Sequence, residues 1–399
     1  MSKMTKEILN KNVDAQEKNL LSMADYIFDH PELGYKEELA SKTLTQYLED
    51  NGFAVTKGVG GLPTAFKAVW KNGEGGPNFG LLCEYDALPK LGHGCGHHMQ
   101  GPCILGAAVA LKEGAGELPF TITVYGTPGE ENYSGKYEMM KNGCTFKELD
   151  IALMMHGGPA TQTDIKCLAV AKYDVTYHGK AAHAALKPED GRSSLDGMLL
   201  AFHGVETLRE HVPSDVRIHY NITDAGGTPA NVVPSLTTAE FYVRSEKVGE
   251  LKDIMARFEK IMQGAALMTE TTVDIHVGKI LENKIPNFCI NDALMANAKA
   301  LHAPNCQPPR AKTGSTDFAN VMRVVPGSCI RVAFVPDGTA SHSDAFVEAG
   351  KSQAAHNAVI VGAKILADTV EDFLEQPELL AKAKAELKER KEKEEKENA

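Results

Sequence analysis

The residues best suited to chemistry are gathered in one short stretch, Gly92 to Gly101, reading GHGCGHHMQG. Cys95 and His97 are separated by a single glycine, so a thiolate and an imidazole can reach one point without a bulky neighbour between them. Both donor types suit zinc. A buried cysteine in a tight turn with solvent-facing histidines accounts for the same residues, and the stretch alone does not separate the two readings. Three further segments supply candidates: Glu130 and Glu131 in GTPGEEN, His156 in MMHGGP and His342 in ASHSDAF. Taken singly, a loop histidine is more often a satisfied polar residue than a ligand, and a Glu-Glu pair is more often a charged turn.

Their shared position changes that balance. Each candidate follows a segment that reads as a strand, and in an open α/β sheet such loops converge on one crevice at the carboxyl ends of the strands. Adjacent glutamates point different ways, so one can bind metal while the other faces substrate. A carboxylate beside an activated water can take its proton and deliver it to a leaving amine. Five donors exceed the needs of one tetrahedral zinc with an open position, and two metals sharing a bridging group fit the count better. Asp86 in EYDALP is placed to orient a ligand imidazole from behind. The role of nearby Glu84 is left open.

The elements that must position these residues follow from hydrophobic spacing. Leu20, Met23, Ala24, Ile27 and Phe28 mark an amphipathic helix ending at His30-Pro31, and a second helix is expected from about Glu37 to Asp50. Strands are expected near Thr64 to Trp70, Asn78 to Cys83, Pro119 to Tyr125 and Asp150 to Met155, with helices near Gln100 to Lys112 and Tyr137 to Asn142. Such alternation implies an α/β layer with a mostly parallel sheet. The pattern then changes to β-α-β-β-α-β between Cys167 and Ile280, a ferredoxin-like arrangement. Alternation resumes with a helix near Asn291 to His302, a strand near Ser328 to Val335 and a helix from Gln353 to Leu374. The expected organisation is a discontinuous catalytic domain, 1–168 and 284–399, interrupted by an inserted lid or dimerisation domain, 169–283. The final residues hold seven Lys or Arg and seven Glu, which reads as a solvated helical tail that frays.

Composition bounds the function classes. At 399 residues the chain is long enough for two or three domains, and 43% hydrophobic residues is an ordinary globular content. A net charge of -11 with no basic run argues against nucleic acid or an anionic membrane as partner. No signal-like or spanning apolar run is present, which places the chain in the cytoplasm. Eight scattered cysteines argue against a disulfide framework, and Cys83, Cys103, Cys167, Cys289 and Cys329 read as small core residues. No G-x-S-x-G occurs, which disfavours a serine hydrolase.

EYDALP, GHGCGHHMQG, GTPGEEN, MMHGGP, HGKAAHAA, PANVVP and ASHSDAF, in that order across residues 18 to 375, resemble the aminoacylase and carboxypeptidase-G family of two-metal amidohydrolases. The resemblance is nearest to its branch of auxin-conjugate hydrolases, aminobenzoyl-glutamate hydrolase and β-alanyl-type dipeptidases. It implies two divalent ions (zinc, or manganese, cobalt or nickel) on Cys95, His97, Glu131, His156 and His342, with Cys95 bridging and Glu130 as catalytic base. It further implies that His183 reaches the partner's active site in a homodimer built through the inserted domain, to support the oxyanion. Asn231 and Arg244 would bind the substrate's amide and carboxylate, as a neutral donor suits a carbonyl and a guanidinium fork a carboxylate. Relatives carry Asn or Asp where this chain has His98, and commonly Ala where it has Gly94. His98 is read as a bystander or a support behind the ligands. The expected reaction is hydrolysis of an N-acyl amino acid or dipeptide. Exopeptidase and deacylase are not separable from sequence, and a non-catalytic metal protein on the same fold is the competing class.

Overall fold

The computed structural model describes residues 4–310 and 314–397, so 1–3, 311–313 and 398–399 of the expected catalytic segments lie outside it. The chain divides into two compact units, one formed by 4–166 with 284–397 and the other by 167–283.

In the first unit α1 (Lys6–Asp29) and α2 (Glu38–Asp50) lead into β1 (Ala54–Lys57), β2 (Phe66–Asn72), β3 (Asn78–Cys83), α3 (Gln100–Glu113) and β4 (Phe120–Gly126). Next come α4 (Glu130–Tyr133), α5 (Gly135–Lys141), β5 (Ile151–Gly158) and β6 (Gln162–Thr163). The second unit contains β7 (Ala169–His178), α6 (Ser194–Leu208), β8 (Arg217–Asp224), β9 (Leu236–Ser245), α7 (Val248–Thr269) and β10 (Thr272–Leu281). The first unit is then completed by α8 (Phe288–Ala300), α9 (Phe318–Met322), β11 (Gly327–Ala333), α10 (Asp344–Glu348), α11 (Gln353–Glu375) and α12 (Pro377–Glu397).

Seven strands of the first unit form one sheet in the order β1-β2-β4-β3-β5-β11-β6. The four central strands, β4, β3, β5 and β11, are parallel, whereas β1, β2 and β6 pair antiparallel at the two edges. The sheet is therefore parallel where it is buried and antiparallel at its margins. β1 carries three exposed residues out of four, so its sequence lacks the apolar signal of a strand. Helix α1 extends well upstream of Leu20, because Leu9 and Val13 continue the buried stripe and Thr5 caps the first turn through Ile8 N–H.

Helix α3 has no polar face along most of its length, with Gln100 to Leu111 all buried, because it lies between the sheet and a layer containing α1 and α11. Close approach requires Gly106: a Cβ there would stand 2.6 Å from Leu20 Cδ1. The other face is covered by a smaller cluster that includes Tyr125, Met139, Phe146, Phe318 and Met322. Helices on both faces are what a buried parallel sheet demands.

The charged C-terminal segment departs from expectation. Rather than a fraying tail, α12 is docked on the first unit: Ala383 and Leu387 are buried, and Glu386 accepts hydrogen bonds from Phe288 N and Cys289 N, each at 3.0 Å. Two apolar residues four apart anchor the helix together with that capping carboxylate and the Arg323–Glu394 pair, and nothing in the charge balance reveals those partners.

The second unit has the expected β-α-β-β-α-β order, with strands in the antiparallel order β10-β7-β9-β8. Burial alternates strictly along most of β7 and β9, and α6 and α7 cover the inward face around Tyr173, Tyr177, Phe241 and Phe258. Among the described residues no helix is long and apolar enough to cross a membrane.

Candidate metal centre

Parallel pairing puts the carboxyl ends of β3, β4, β5 and β11 on one edge of the sheet, so the segments after Cys83, Gly126 and Ala333 meet there. His156 lies within β5 itself, two residues before its end, rather than in the following loop. Three backbone contacts lock the segments together. Glu131 N–H donates to Asp86 Oδ2 at 3.0 Å, Gly129 N–H donates to Glu37 Oε1 at 2.8 Å, and His342 N–H donates to the Gly94 carbonyl at 2.8 Å. His342 is held at φ 64°, a left-handed conformation that a residue with a Cβ adopts only when its surroundings impose it. Gly96 at φ 79° lets the chain turn between Cys95 and His97 without that strain.

All five expected donors are brought together. One donor atom each of Cys95, His97 and His156 lie within 4.8 Å of one another, and so do those of Cys95, Glu131 and His342. The sulfur is common to both groups, with Cys95 Sγ 3.5 Å from His156 Nε2, and His342 Nε2 is 3.2 Å from Glu131 Oε1. Glu130 stands beside them, in a further group with His97 and Glu131.

The orientation of His97 suits a cation. His97 Nδ1 lies 3.0 Å from Asp86 Oδ1 and 3.1 Å from the Asp86 carbonyl, both acceptors, so Nδ1 carries a proton and Nε2 is the nitrogen left for a cation. That Nε2 is buried with no hydrogen-bond partner. His156 Nδ1 lies 2.7 Å from the Gly157 carbonyl and 3.1 Å from Arg331 Nη1, and its Nε2 faces Cys95 Sγ. Orphaned buried donors of this kind are costly unless something satisfies them.

Charge tells the same story. Burial would raise the Cys95 thiol, but His97 and His156 overturn that and bring it down to about 5. His342 is pushed up to about 10 by its hydrogen bonds to Cys95 and Glu131. Burial disfavours charge on His97, yet Cys95 and Asp86 outweigh it and raise its proton affinity. The imidazoles thus hold the positive charge that bound cations would otherwise bring to the thiolate and carboxylate. Removal from water, then the charges of Glu84, Asp317 and Glu131, raise Glu130 well above the ordinary carboxylate range.

Lys136 and Asp317 carried no sequence signal, and they give Glu84 its place. Glu84 is buried, 3.3 Å from His97 Nε2, accepts from Gln100 Nε2 at 2.8 Å and is paired with the fully buried Lys136. Lys136 Nζ also donates to Asp317 Oδ1 at 2.7 Å, and its backbone N–H to Asp317 Oδ2 at 2.8 Å. Lys136 and Asp317 are 181 residues apart in a chain of short polar segments, so no local pattern links them. His93 and His98, by contrast, are neither solvent-facing nor in any donor group. Their Nε2 atoms donate to the Ile27 and Gly350 carbonyls at 3.0 and 2.8 Å, and burial lowers both to about 3, which makes them neutral packing groups under the loop.

The three candidates of the inserted segment occupy the second unit. His183 is exposed, its Nδ1 accepting from Ala185 N and Leu186 N at 3.2 Å, and it is bridge-paired with Val232. Asn231 is exposed and its carbonyl accepts from Ala184 N at 2.9 Å. Both lie beyond the Leu236 end of β9, whereas Arg244 sits near the other end, its guanidinium 5.5 Å from the Tyr242 ring. At about 3.3 Å per residue the strand separates Leu236 from Arg244 by roughly 26 Å.

A sheet whose carboxyl-end loops gather cysteine, histidine and glutamate donors around a shared sulfur, with a spare carboxylate alongside, is the architecture of a dinuclear metallohydrolase. The model of the Peptidase family M20/M25/M40 matches residues 81–372, and the chain belongs to that family of amide-bond hydrolases. It is 35% identical over 396 residues to a Xaa-Arg dipeptidase of Mus musculus, covering 95% of this chain and 91% of the relative. It is 37% identical over 305 residues to one of the subunits of p-aminobenzoyl-glutamate hydrolase from Escherichia coli, covering 71% of this chain and 62% of the relative. Among solved structures it is similar to a dinuclear metal-binding M20 peptidase of Bacillus subtilis, with a TM-score of 0.69, 20% identity and coverage of 91% and 99%. An aminobenzoyl-glutamate utilization protein of Klebsiella pneumoniae gives a TM-score of 0.73 at 21% identity, with coverage of 92% and 98%.

Proposed function

We propose that this protein hydrolyses the amide bond of N-acyl amino acids or dipeptides bearing a free carboxylate, with two divalent ions held by Cys95, His97, Glu131, His156 and His342. Zinc suits the thiolate and imidazole donors, and manganese, cobalt or nickel are the alternatives. The observation that carries the reading is that Cys95 belongs to two donor groups at once while Glu130 stays outside that pair. When bound, the cations supply polarisation of the scissile carbonyl and acidification of a water.

The remaining work falls to the chain's own residues. Glu130 takes the proton of the attacking water on its carboxylate and gives it to the departing nitrogen. Asp86 fixes the tautomer of His97 and, through Glu131 N–H, the position of the second carboxylate. His183 supports the oxyanion, Asn231 donates to the substrate carbonyl and Arg244 grips its carboxylate. The placing of His183 and Asn231 beyond one end of β9 and Arg244 near the other supports a homodimer in which the two groups serve different active sites. A cytoplasmic location belongs to the same reading and rests on eight free cysteines.

The named substrates of the relatives, Xaa-Arg dipeptides and p-aminobenzoyl-glutamate, are both carboxylate-bearing amides, and N-acetyl-L-cysteine deacetylase of Bacillus subtilis extends the range to N-acyl amino acids. A purely metal-binding role is disfavoured by Glu130, which a structural site would not need. The test is a pair of substitutions. Glu130→Gln is expected to lose about 10²- to 10⁴-fold in kcat and keep its metal, whereas Glu131→Gln loses metal. Metal loss in the first with full activity in the second overturns the assignment.

A further inference from the structure

Glu130 belongs to two donor groups at once. One joins it to His97 and Glu131, and the other to Glu84 and Asp317, with the donor atoms of each group within 4.8 Å of one another. Either cluster could draw the carboxylate onto a cation, whereas a base must keep its oxygens for protons.

The inner cluster is already filled by a side chain. Lys136 Nζ donates to Asp317 Oδ1 at 2.7 Å and to Glu84 Oε1, and Lys136 and Asp317 are closed off from solvent, Glu84 nearly so. Asp317 stands at the N-cap of α9, where an aspartate ordinarily accepts from the first N–H groups of the helix, yet it makes no such bond. Both of its oxygens are given to Lys136 instead, one to the ammonium and one to the backbone N–H. The local chain is shaped to bring that ammonium in. Ser134, held at φ 57°, turns the chain between α4 and α5, and a Cβ on Gly135 would stand 1.7 Å from the Pro128 carbonyl oxygen. The start of α5 is thereby packed directly against the loop that precedes Glu130.

Three carboxylates around one ammonium leave the cluster short of positive charge. Burial opposes charge on Lys136, but Asp317, Glu84 and Glu130 outweigh it and hold the proton on Nζ. Burial raises Glu130 and Asp317, and Glu84 adds to the rise in each. With the ammonium removed, the same oxygens would form a buried set of carboxylate donors of the kind that zinc accepts.

We propose that Lys136 is a positioning residue for Glu130: its ammonium occupies the Glu84–Glu130–Asp317 cluster in place of a divalent ion and so keeps Glu130 uncoordinated and available as the base. The inference rests on the reading of Glu130 above and goes beyond it by naming what holds the base off metal.

Zinc content and turnover, read together on the full-length protein, test it. In equilibrium dialysis, wild type and Lys136→Arg are expected to hold about two equivalents of zinc and Lys136→Ala about three. Adding Asp317→Asn to Lys136→Ala should return the count to that of wild type. In Lys136→Ala, kcat for an N-acyl amino acid falls about 10²-fold as the extra equivalent enters, with KM held, while Lys136→Arg shows no such fall. Lys136→Gln is a second variant with the same expectation as Lys136→Ala. If either folds only with zinc added and then carries the extra ion, the ion is standing in for the ammonium as proposed. A zinc count equal to that of wild type in both variants, or failure of both to fold even in excess zinc, overturns the proposal. An extra ion in Lys136→Ala with no hydrolysis by wild type sinks the amidohydrolase reading and leaves the exclusion of metal standing. An extra ion that leaves turnover untouched sinks the positioning role alone.

Discussion

Asp86 Oδ1 and His97 Nδ1 stand 3.0 Å apart with both side chains closed off from solvent, and the other oxygen of the same carboxylate receives the backbone N–H of Glu131. One aspartate therefore sets an imidazole from one candidate donor group and a carboxylate from the other. Asp86→Asn is expected to weaken metal affinity about 10- to 100-fold while leaving the circular dichroism spectrum unchanged. Competition against a chelator measures it, and wild-type affinity would remove Asp86 from the design of the centre.

Lys136 is an internal cation with no access to water, held between Glu84 and Asp317. Lys136→Met leaves those carboxylates facing each other without their partner, at a cost of about 3–5 kcal/mol in unfolding free energy. Denaturant unfolding of the variant, followed with and without zinc, reads the loss. A change within error of zero would show that the carboxylates find another counter-charge.

Asp368 on α11 supplies a pH dependence away from the metal donors. Burial, only partly opposed by the hydrogen bond from Asn10, pushes its carboxyl from 3.8 up to about 7, and its Oδ1 has no hydrogen-bond partner. The folded protein keeps this proton in a range where the unfolded chain has released it. Its contribution is fully present below pH 3.8 and is lost as pH rises through about 7. The stability difference between wild type and Asp368→Asn should therefore shift against wild type between those limits. A difference flat in pH across that window contradicts the reading.

Glu386 caps α8 from a helix almost a hundred residues downstream, accepting from Phe288 N and Cys289 N. Glu386→Ala is expected to cost about 1 kcal/mol and to speed amide exchange in α12. Unchanged exchange there would mean that α12 is held by its other contacts, among them Asn287 Nδ2 on the Ala383 carbonyl and the Arg323–Glu394 pair.

The sequence made the site legible at the level of residue types, because segments that follow parallel strands gather at one edge of a sheet, and glycine-rich turns announce them. Cys95, His97, Glu130, Glu131 and His342 follow strands and His156 lies near the end of one, so their donor atoms come together. Glu84 was visible but had no role, since its meaning comes from Lys136 and Asp317, which reach it across long chain separations. The fate of His93 and His98 was hidden in the same way: a histidine beside a ligand looks alike whether it faces water or a backbone carbonyl under the loop. The docked α12 escaped notice because a balanced charge run carries no sign of which face will be covered.

By itself the sequence determined the alternation of strands and helices, the β-α-β-β-α-β order and the candidate donors, all of which depend on local periodicity and on the motifs of single segments. Only the tertiary structure decided that one sulfur serves two donor groups, that Lys136 neutralises two buried carboxylates and that Asp164 gathers three cations beside His156. These are distances between residues far apart in the chain, fixed by sheet order and packing, and electrostatic partners at a few ångströms leave no trace in local pattern.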